Sequence, residues 1–306
     1  MKYFLSLILI ASDSLGFSLS RFLGISGGGS LYSGDLNPIN TSDRSQNIRS
    51  SFGISYRQEL SNKIGFRLML SRNNIEAADS INQVPVAGFT FPFTTEEDAI
   101  INNVIRNLSF QNTITEFALL IEYKPLSVGK LDLILSGGPA LFRHNPQAID
   151  PITRNFASPT TVDLQPLRTD GGDFDDVYSL FQFALPLGIQ LHYALTDKLS
   201  IGVEFMRRIT FTDFLDDASS AFYAPCADIA QISGPIGDRL ADPSAFGSGF
   251  VITDQTRPCN NPTTTPIVRA NPNNNDFYMS GTISVWYRMS NSRNGSKKGV
   301  GCPLPY

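Results

Sequence analysis

Residues Val177–Phe214 read VYSLFQFALPLGIQLHYALTDKLSIGVEFMRRITFTDF. In the first half the odd positions hold Val177, Phe181, Phe183, Leu185, Leu187, Ile189, Leu191 and Tyr193. The even positions hold Gln182, Ala184, Gly188, Gln190, His192 and Ala194. A side-chain period of two over that length is an extended strand with one apolar face and one small or polar face. A Thr196-Asp197-Lys198 turn follows and the alternation resumes. Ile201, Val203, Phe205, Ile209 and Phe211 fall on one side, Gly202, Glu204, Arg208, Thr210 and Thr212 on the other. Each strand is longer than the ~5–6 residues usual in soluble sheets, and long enough for the ~9–11 that cross a hydrocarbon layer. The pattern predicts a hairpin of a membrane barrel.

The same alternation recurs along the chain. Strands are predicted at Arg21–Tyr32, Arg49–Leu60, Ile64 to about Asn74, Leu108–Lys124, Leu131 to His144 and Asp276–Met289, which with the hairpin makes eight. The glycine run Gly27–Gly29 lacks the Lys-Ser/Thr and the following helix of a phosphate loop, so it reads as a strand packed closely against its neighbours. Between the strands, Ser61–Lys63, Pro125–Lys130 and Thr196–Lys198 are short turns. Ser33–Asn47, Glu76–Asn107, Asn145–Asp176 and Asp216–Asn275 are long polar connections; within Glu76–Asn107 the portion TEEDAIINNVIRN has helical spacing. Long connections alternating with short ones are the arrangement of outer-membrane barrels, with tight periplasmic turns and long external loops. The expected fold is therefore all-β: an eight-stranded antiparallel up-and-down transmembrane β-barrel over 21–289, with the insertion 216–275 external. Both termini, including a tail at 290–306, lie on the periplasmic side.

The polar face carries the ionisable residues. By parity Arg57, Arg67, Glu116, Glu122, Glu204, Arg208 and Arg288 share it with Gln182, Gln190 and His192. An arginine on the lipid face costs ~2–4 kcal/mol at the bilayer midplane. Inside an eight-stranded barrel, just wide enough to be filled by side chains, opposite charges can pair. These residues are expected to form a lumen network that plugs the barrel, which makes it no pore. Arg207 has outward parity beside Arg208, so either a bulge shifts the register there or its side chain snorkels to the interface.

The 306 residues show no apolar run of ~18 or more after the N-terminus, which excludes a helical membrane protein. A net charge of −4 and a pI near 5.2 argue against nucleic acid as a partner. The 22 Phe and 10 Tyr against one Trp suit strands and aromatic girdles. Residues 1–16 read as a secretory signal: Lys2, an apolar run Tyr3–Ile10, then Ser14-Leu15-Gly16. Cys226, Cys259 and Cys302 form no Cys-x-x-Cys pair and no Cys/His cluster, which argues against zinc. Cys226 and Cys259 share the long insertion and are the natural disulfide in an exported protein. Closing that loop is worth ~3–4 kcal/mol on the chain-entropy model. Cys302 is the odd thiol.

Candidates for chemistry are few. His192 beside Gln190 and Glu204 reads as a member of the lumen network rather than a proton-transfer group. His144, where a strand leaves the membrane, is the one candidate for a hydrolytic site, and no sequence-adjacent partner supports it. Asp170, Asp173, Asp175 and Asp176 in DGGDFDD lack the ordered spacing of an EF-hand and read as a solvated acidic loop. Asp213, Asp216 and Asp217 close a strand in the same fashion. No enzyme, metal or cofactor is expected.

Seven stretches in order along the chain resemble the PorG-like family of outer-membrane β-barrels of the type IX secretion system. They are GGGSLYSGDLNP (Gly27–Pro38), NLSFQNTITEFAL (Asn107–Leu119), GGPALFRHNP (Gly137–Pro146), LQPLRTDG (Leu164–Gly171), FALPLGIQ (Phe183–Gln190), TFTDFLDD (Thr210–Asp217) and GCPLPY (Gly301–Tyr306). The resemblance implies an eight-stranded barrel in the Gram-negative outer membrane. It also implies a role as partner of a periplasmic ring built by a lipoprotein and its companion subunit, with no catalytic residues. The insertion between TFTDFLDD and the last strand departs from the family pattern.

A monomeric barrel that anchors rather than transports would meet its periplasmic partner through the short turns and the tail. Those segments carry Lys63, Lys130, Lys198, Lys297, Lys298 and Cys302, and the lysines form a basic rim suited to an acidic partner or to lipid headgroups. The alternative is a surface-binding, adhesin-like barrel whose function sits in the external loops, with the insertion 216–275 as its main support.

Overall fold

The structure, a computed structural model, describes residues 20–36, 43–79, 102, 105–170, 177–246, 256–260 and 267–289. Its strands are β1 (Arg21–Ser33), β2 (Arg49–Glu59), β3 (Ile64–Ala78), β4 (Ser109–Val128), β5 (Leu131–Gly137), β6 (Ala140–Arg143), β7 (Pro146–Ile149), β8 (Thr161–Asp163), β9 (Phe181–Ala194), β10 (Leu199–Thr210) and β11 (Phe277–Met289). Pairing is antiparallel throughout. It runs β3–β2–β1–β11–β10–β9–β5–β4, with β6 continuing β5 between β9 and β4, and β4 pairs back onto β3. The ring closes with eight positions. Following paired residues from Arg21 gives Gln58, Phe66, Ile121, Gly137, Leu187, Arg207, Met279 and finally Leu31, ten residues up the starting strand. For eight strands that stagger corresponds to a tilt of about 40° and an interior with room for side chains only.

The alternation read from the sequence sets which residues face inward, but several boundaries differ from expectation: β3 runs on to Ala78, into the connection expected from Glu76, and β10 stops at Thr210 rather than Phe214. The fifth strand is broken into β5 and β6 at Gly138-Pro139. Pro139 has no N–H to give the ladder, and a Cβ on Gly138 would lie 2.1 Å from the Leu119 carbonyl oxygen, so only glycine admits that approach. The turn expected around Pro125–Lys130 is tighter. A register shift between Tyr123 and Leu126 lets β4 run on to Val128, and Gly129, at φ 61°, makes the turn with Lys130. The hairpin's first strand begins at Phe181, not Val177, because Tyr178 instead donates its hydroxyl to Asp217 Oδ1 (2.6 Å) and stacks on Phe214. The connection after His144 is not all loop: β7 pairs with β4, and β8 with β7. Arg207 involves no bulge, since β10 keeps its register through it on both sides and its guanidinium lies 4.0 Å over the Phe277 ring.

All four long connections leave from one end. The insertion 216–275 holds a helix, α1 (Cys226–Ala241), kinked at Gly234-Pro235. Among the described residues no helix is long and apolar enough to cross a membrane.

Candidate functional site

In the middle of the ring the buried and exposed faces are inverted relative to a soluble protein. Arg67 is 1% and Glu116 0% exposed, while Ile25, Ile121, Phe205 and Ile283, on four different strands, are each 65–66% exposed. Water would not tolerate that continuous apolar wall, and a hydrocarbon layer requires it. The chain is a membrane-spanning β-barrel. No known family model and no curated protein matches the sequence. Solved structures similar in shape include the attachment invasion locus protein Ail of Yersinia pestis (8% identity, TM-score 0.35) and the Neisserial surface protein A (8%, 0.38). A third is a major outer membrane protein from Thermus thermophilus (14%, 0.41). Each comparison covers 89% of this chain and 100% of the other. At these values the likeness transfers neither ligand nor partner.

Three guanidiniums and three carboxylates fill the lumen. Arg57 Nε lies 2.5 Å from Glu122 Oε2, and its Nη2 donates to Glu122 Oε1 at 2.9 Å. Arg67 lies 3.0 Å from the same Oε1 and reaches both oxygens of Glu204, at 2.5 and 3.1 Å. Arg208 pairs with Glu116 at 3.4 Å, and Tyr278 donates to the other Glu116 oxygen at 2.7 Å. Gln190 accepts from Arg57 Nη2, and His192 Nδ1 stands 3.2 Å from Arg57 Nη1. Trp286 stacks under Arg57 at 4.0 Å, made possible by Gly24 opposite, where a Cβ would come 2.5 Å from the indole. The structure thus brings together Arg57, Arg67, Glu116, Glu122, Gln190, His192, Glu204 and Arg208. Arg288 is not among them. It shares their parity, but at the strand end its side chain reaches solvent, bonded to Ser20 and over the Phe22 ring at 5.8 Å.

At the short-turn end a vestibule of about 240 Å³ opens and ends on Arg57, Glu122 and His192. Lys124 bridges Glu59 (3.1 Å) and Asp132 (2.9 Å) at its wall. Lys63, Lys130 and Lys198 are exposed around the rim. The signal 1–16, Lys297, Lys298 and Cys302 lie outside the described residues.

The other end is an ordered cap, which the sequence did not announce. Cys226 and Cys259 are bonded, with Cα atoms 5.0 Å apart. Arg257 holds Asp238 at 2.9 Å and donates to the Asp242 carbonyl, and Arg239 pairs with Asp150 at 2.8 Å. Arg106 fixes the β3–β4 connection by bonding Asp79 (2.7 Å) and the carbonyls of Arg269 and Asp35. Arg269 in turn donates to Asp170 Oδ1 (3.0 Å), which also accepts from the Ser219 and Ser220 amides. Asp170 is therefore buried rather than solvated, as are Asp213, Asp216 and Asp217. Aspartates near one another in sequence signal only charge; the partners come from other loops. Asp173, Asp175 and Asp176 lie outside the described residues.

His144 sits beneath this cap, fully buried, with Nε2 against the Ser179 carbonyl (3.3 Å) and its ring stacked on Tyr178. Burial pushes its pKa down to about 4, the Ser179 contact opposing. Its other ring nitrogen, Nδ1, has no hydrogen-bond partner among the described residues. Burial likewise raises Asp213 and Asp217 to about 7; for Asp217 the nearby Arg269 pulls the other way.

Proposed function

We propose that this chain is a non-catalytic, non-conducting outer-membrane barrel that works as an anchor, presenting its two ends to partners. The observation that carries this reading is the lumen, where Arg57, Arg67 and Arg208 are matched by Glu122, Glu204 and Glu116 across the whole interior. A passage would have to break buried pairs that cost ~3–5 kcal/mol each to disrupt. The finer reading is that the barrel anchors the periplasmic ring of a type IX secretion system. It rests on the sequence stretches that resemble the PorG-like family and on the lysine rim at the short-turn end, where Lys63, Lys130 and Lys198 are exposed. Outer-membrane lipid surrounds the belt, with both termini on the periplasmic side.

The test is gentle detergent extraction of the tagged protein from native outer membranes, with co-purifying proteins identified. Three chains are compared: intact, truncated after Ser290, and carrying Lys63→Glu, Lys130→Glu and Lys198→Glu. Ring subunits that accompany the intact chain and are lost from either variant support the anchor. A folded barrel that always emerges alone refutes it. The second reading, a loop-borne binding function, is favoured by the cap itself, where a disulfide and buried ion pairs tie the described part of the insertion together. In that case removal of residues 219–270, not of the tail, abolishes the phenotype.

A further inference from the structure

The lipid-facing wall has a feature that an apolar belt by itself does not need. Arg207 points outward from β10, exposed and paired across the sheet with Leu187 and Met279. Its guanidinium lies 4.0 Å over the ring of Phe277, the first residue of β11, so the side chain climbs from its own level towards the loop end. Below it the wall is hollow. Gly29 on β1 and Gly281 on β11 face each other across the ladder. With no side chains there, an open cleft of about 710 Å³ runs past Leu187, Ile189 and Met279 up to Arg207. Ile48 and Phe205 wall it in. A Cβ on Gly29 would stand 2.6 Å from Ile48 Cγ2, and one on Gly281 3.2 Å from Phe205 Cε1. Towards the turn end the same two strands fill this face with Ile25, Ile283 and Val285.

The charge on Arg207 has no counter-ion in the protein. Among the described residues no carboxylate pairs with it, nor with Arg72 on β3 or Arg143 on β6, two other exposed arginines in the loop-side half of the outer face. Glu76, further along β3, is held by Arg49. Snorkelling accounts for the height of the Arg207 guanidinium but not for the cleft beneath it. A guanidinium binds a phosphate through two parallel N–H bonds, and a lipid phosphate is the anion that a membrane offers at this level. We propose that Arg207 and the Gly29–Gly281 cleft hold one phosphorylated lipid of the leaflet at the loop end, its phosphate on the guanidinium and an acyl chain along the cleft. With that end external, as in the reading above, the lipid is of the lipid A class. Cation and apolar floor together call for both parts of such a molecule. A second copy of the chain, packed symmetrically, would instead bring another Arg207 to the same patch.

The experiment uses the full chain folded in a neutral detergent. The probes are purified lipid A and the same lipid A stripped of its phosphates, and native mass spectrometry counts the lipids bound per chain. The wild type should retain one lipid A at detergent concentrations that remove the dephosphorylated form. Arg207→Gln should weaken that retention at least tenfold. Gly281→Leu, which fills the cleft and leaves the arginine in place, should do the same. Arg143→Gln, at an exposed arginine that does not line the cleft, should leave retention unchanged. Equal retention of the two probes by the wild type overturns the proposal without reference to any variant. So does an Arg207→Gln chain that retains lipid A as the wild type does. Dimers that Gly281→Leu abolishes and lipid A does not displace would assign the cleft to a second copy and overturn it too. Folding of each chain is checked by its mobility on unheated gels; if Gly281→Leu does not fold, the two probes and Arg207→Gln decide.

Discussion

Replacing Glu122 by leucine exposes the energetic logic of the lumen. Its carboxylate touches two guanidiniums, Arg57 at 2.5 and 2.9 Å and Arg67 at 3.0 Å. Arg67 keeps Glu204 after the change, whereas Arg57 keeps only neutral neighbours, Gln190, His192 and the Trp286 ring. One buried positive charge is then unpaired, and the expected loss is that of one broken buried pair, ~3–5 kcal/mol. Unfolding by guanidinium chloride in lipid vesicles measures it, followed by the fluorescence of Trp286, the single tryptophan and the residue under Arg57. Removing both partners, Arg57→Met with Glu122→Leu, should restore most of the loss, because a charge-free pair of similar volume needs no compensation. The double-mutant cycle should therefore give a coupling of at least ~2 kcal/mol. A single-mutant loss below ~1 kcal/mol, in the range of an exposed pair, or a coupling near zero, would mean that water reaches Arg57 and that the lumen is not sealed there.

Two further outcomes concern the cap. Burial raises the Asp217 pKa to about 7, so its neutral form is the one the fold favours. Its stabilisation is complete below the unfolded value near 4 and is lost as pH rises towards 7, at ~1.4 kcal/mol per pH unit at most. With EDTA present, protease cleavage in the cap should accelerate from pH 5 to pH 7, and Asp217→Asn should flatten that profile; an unchanged profile counts against burial of this group. Replacing Cys226 and Cys259 by serine removes a cross-link over 33 residues, worth ~3–4 kcal/mol on the chain-entropy model. The barrel should still migrate as a folded species on unheated gels while the insertion becomes cleavable. Loss of the folded barrel itself would show that the cap is needed for closure.

The barrel was legible because its physics is local. A period of two needs only neighbouring residues, and it marked inward Arg67, Glu116, Glu122 and Glu204 and outward Phe205 and Ile283 without knowledge of any partner strand. The alternation of long and short connections then made a closed meander the economical topology. Arg288 shows the limit of parity, which tells direction but not depth: at a strand end an inward side chain meets water. Lumen pairing, the stagger of ten residues and the break at Gly138-Pro139 depend on which strands lie side by side, and that is set by closure of the ring. The cap was beyond sequence reading altogether. Asp170, Asp213, Asp216 and Asp217 look in the sequence like solvated loop charges. Tertiary structure buries them, because four connections of unrelated sequence converge over one mouth, and burial, not composition, turns a surface aspartate into a group that needs a partner.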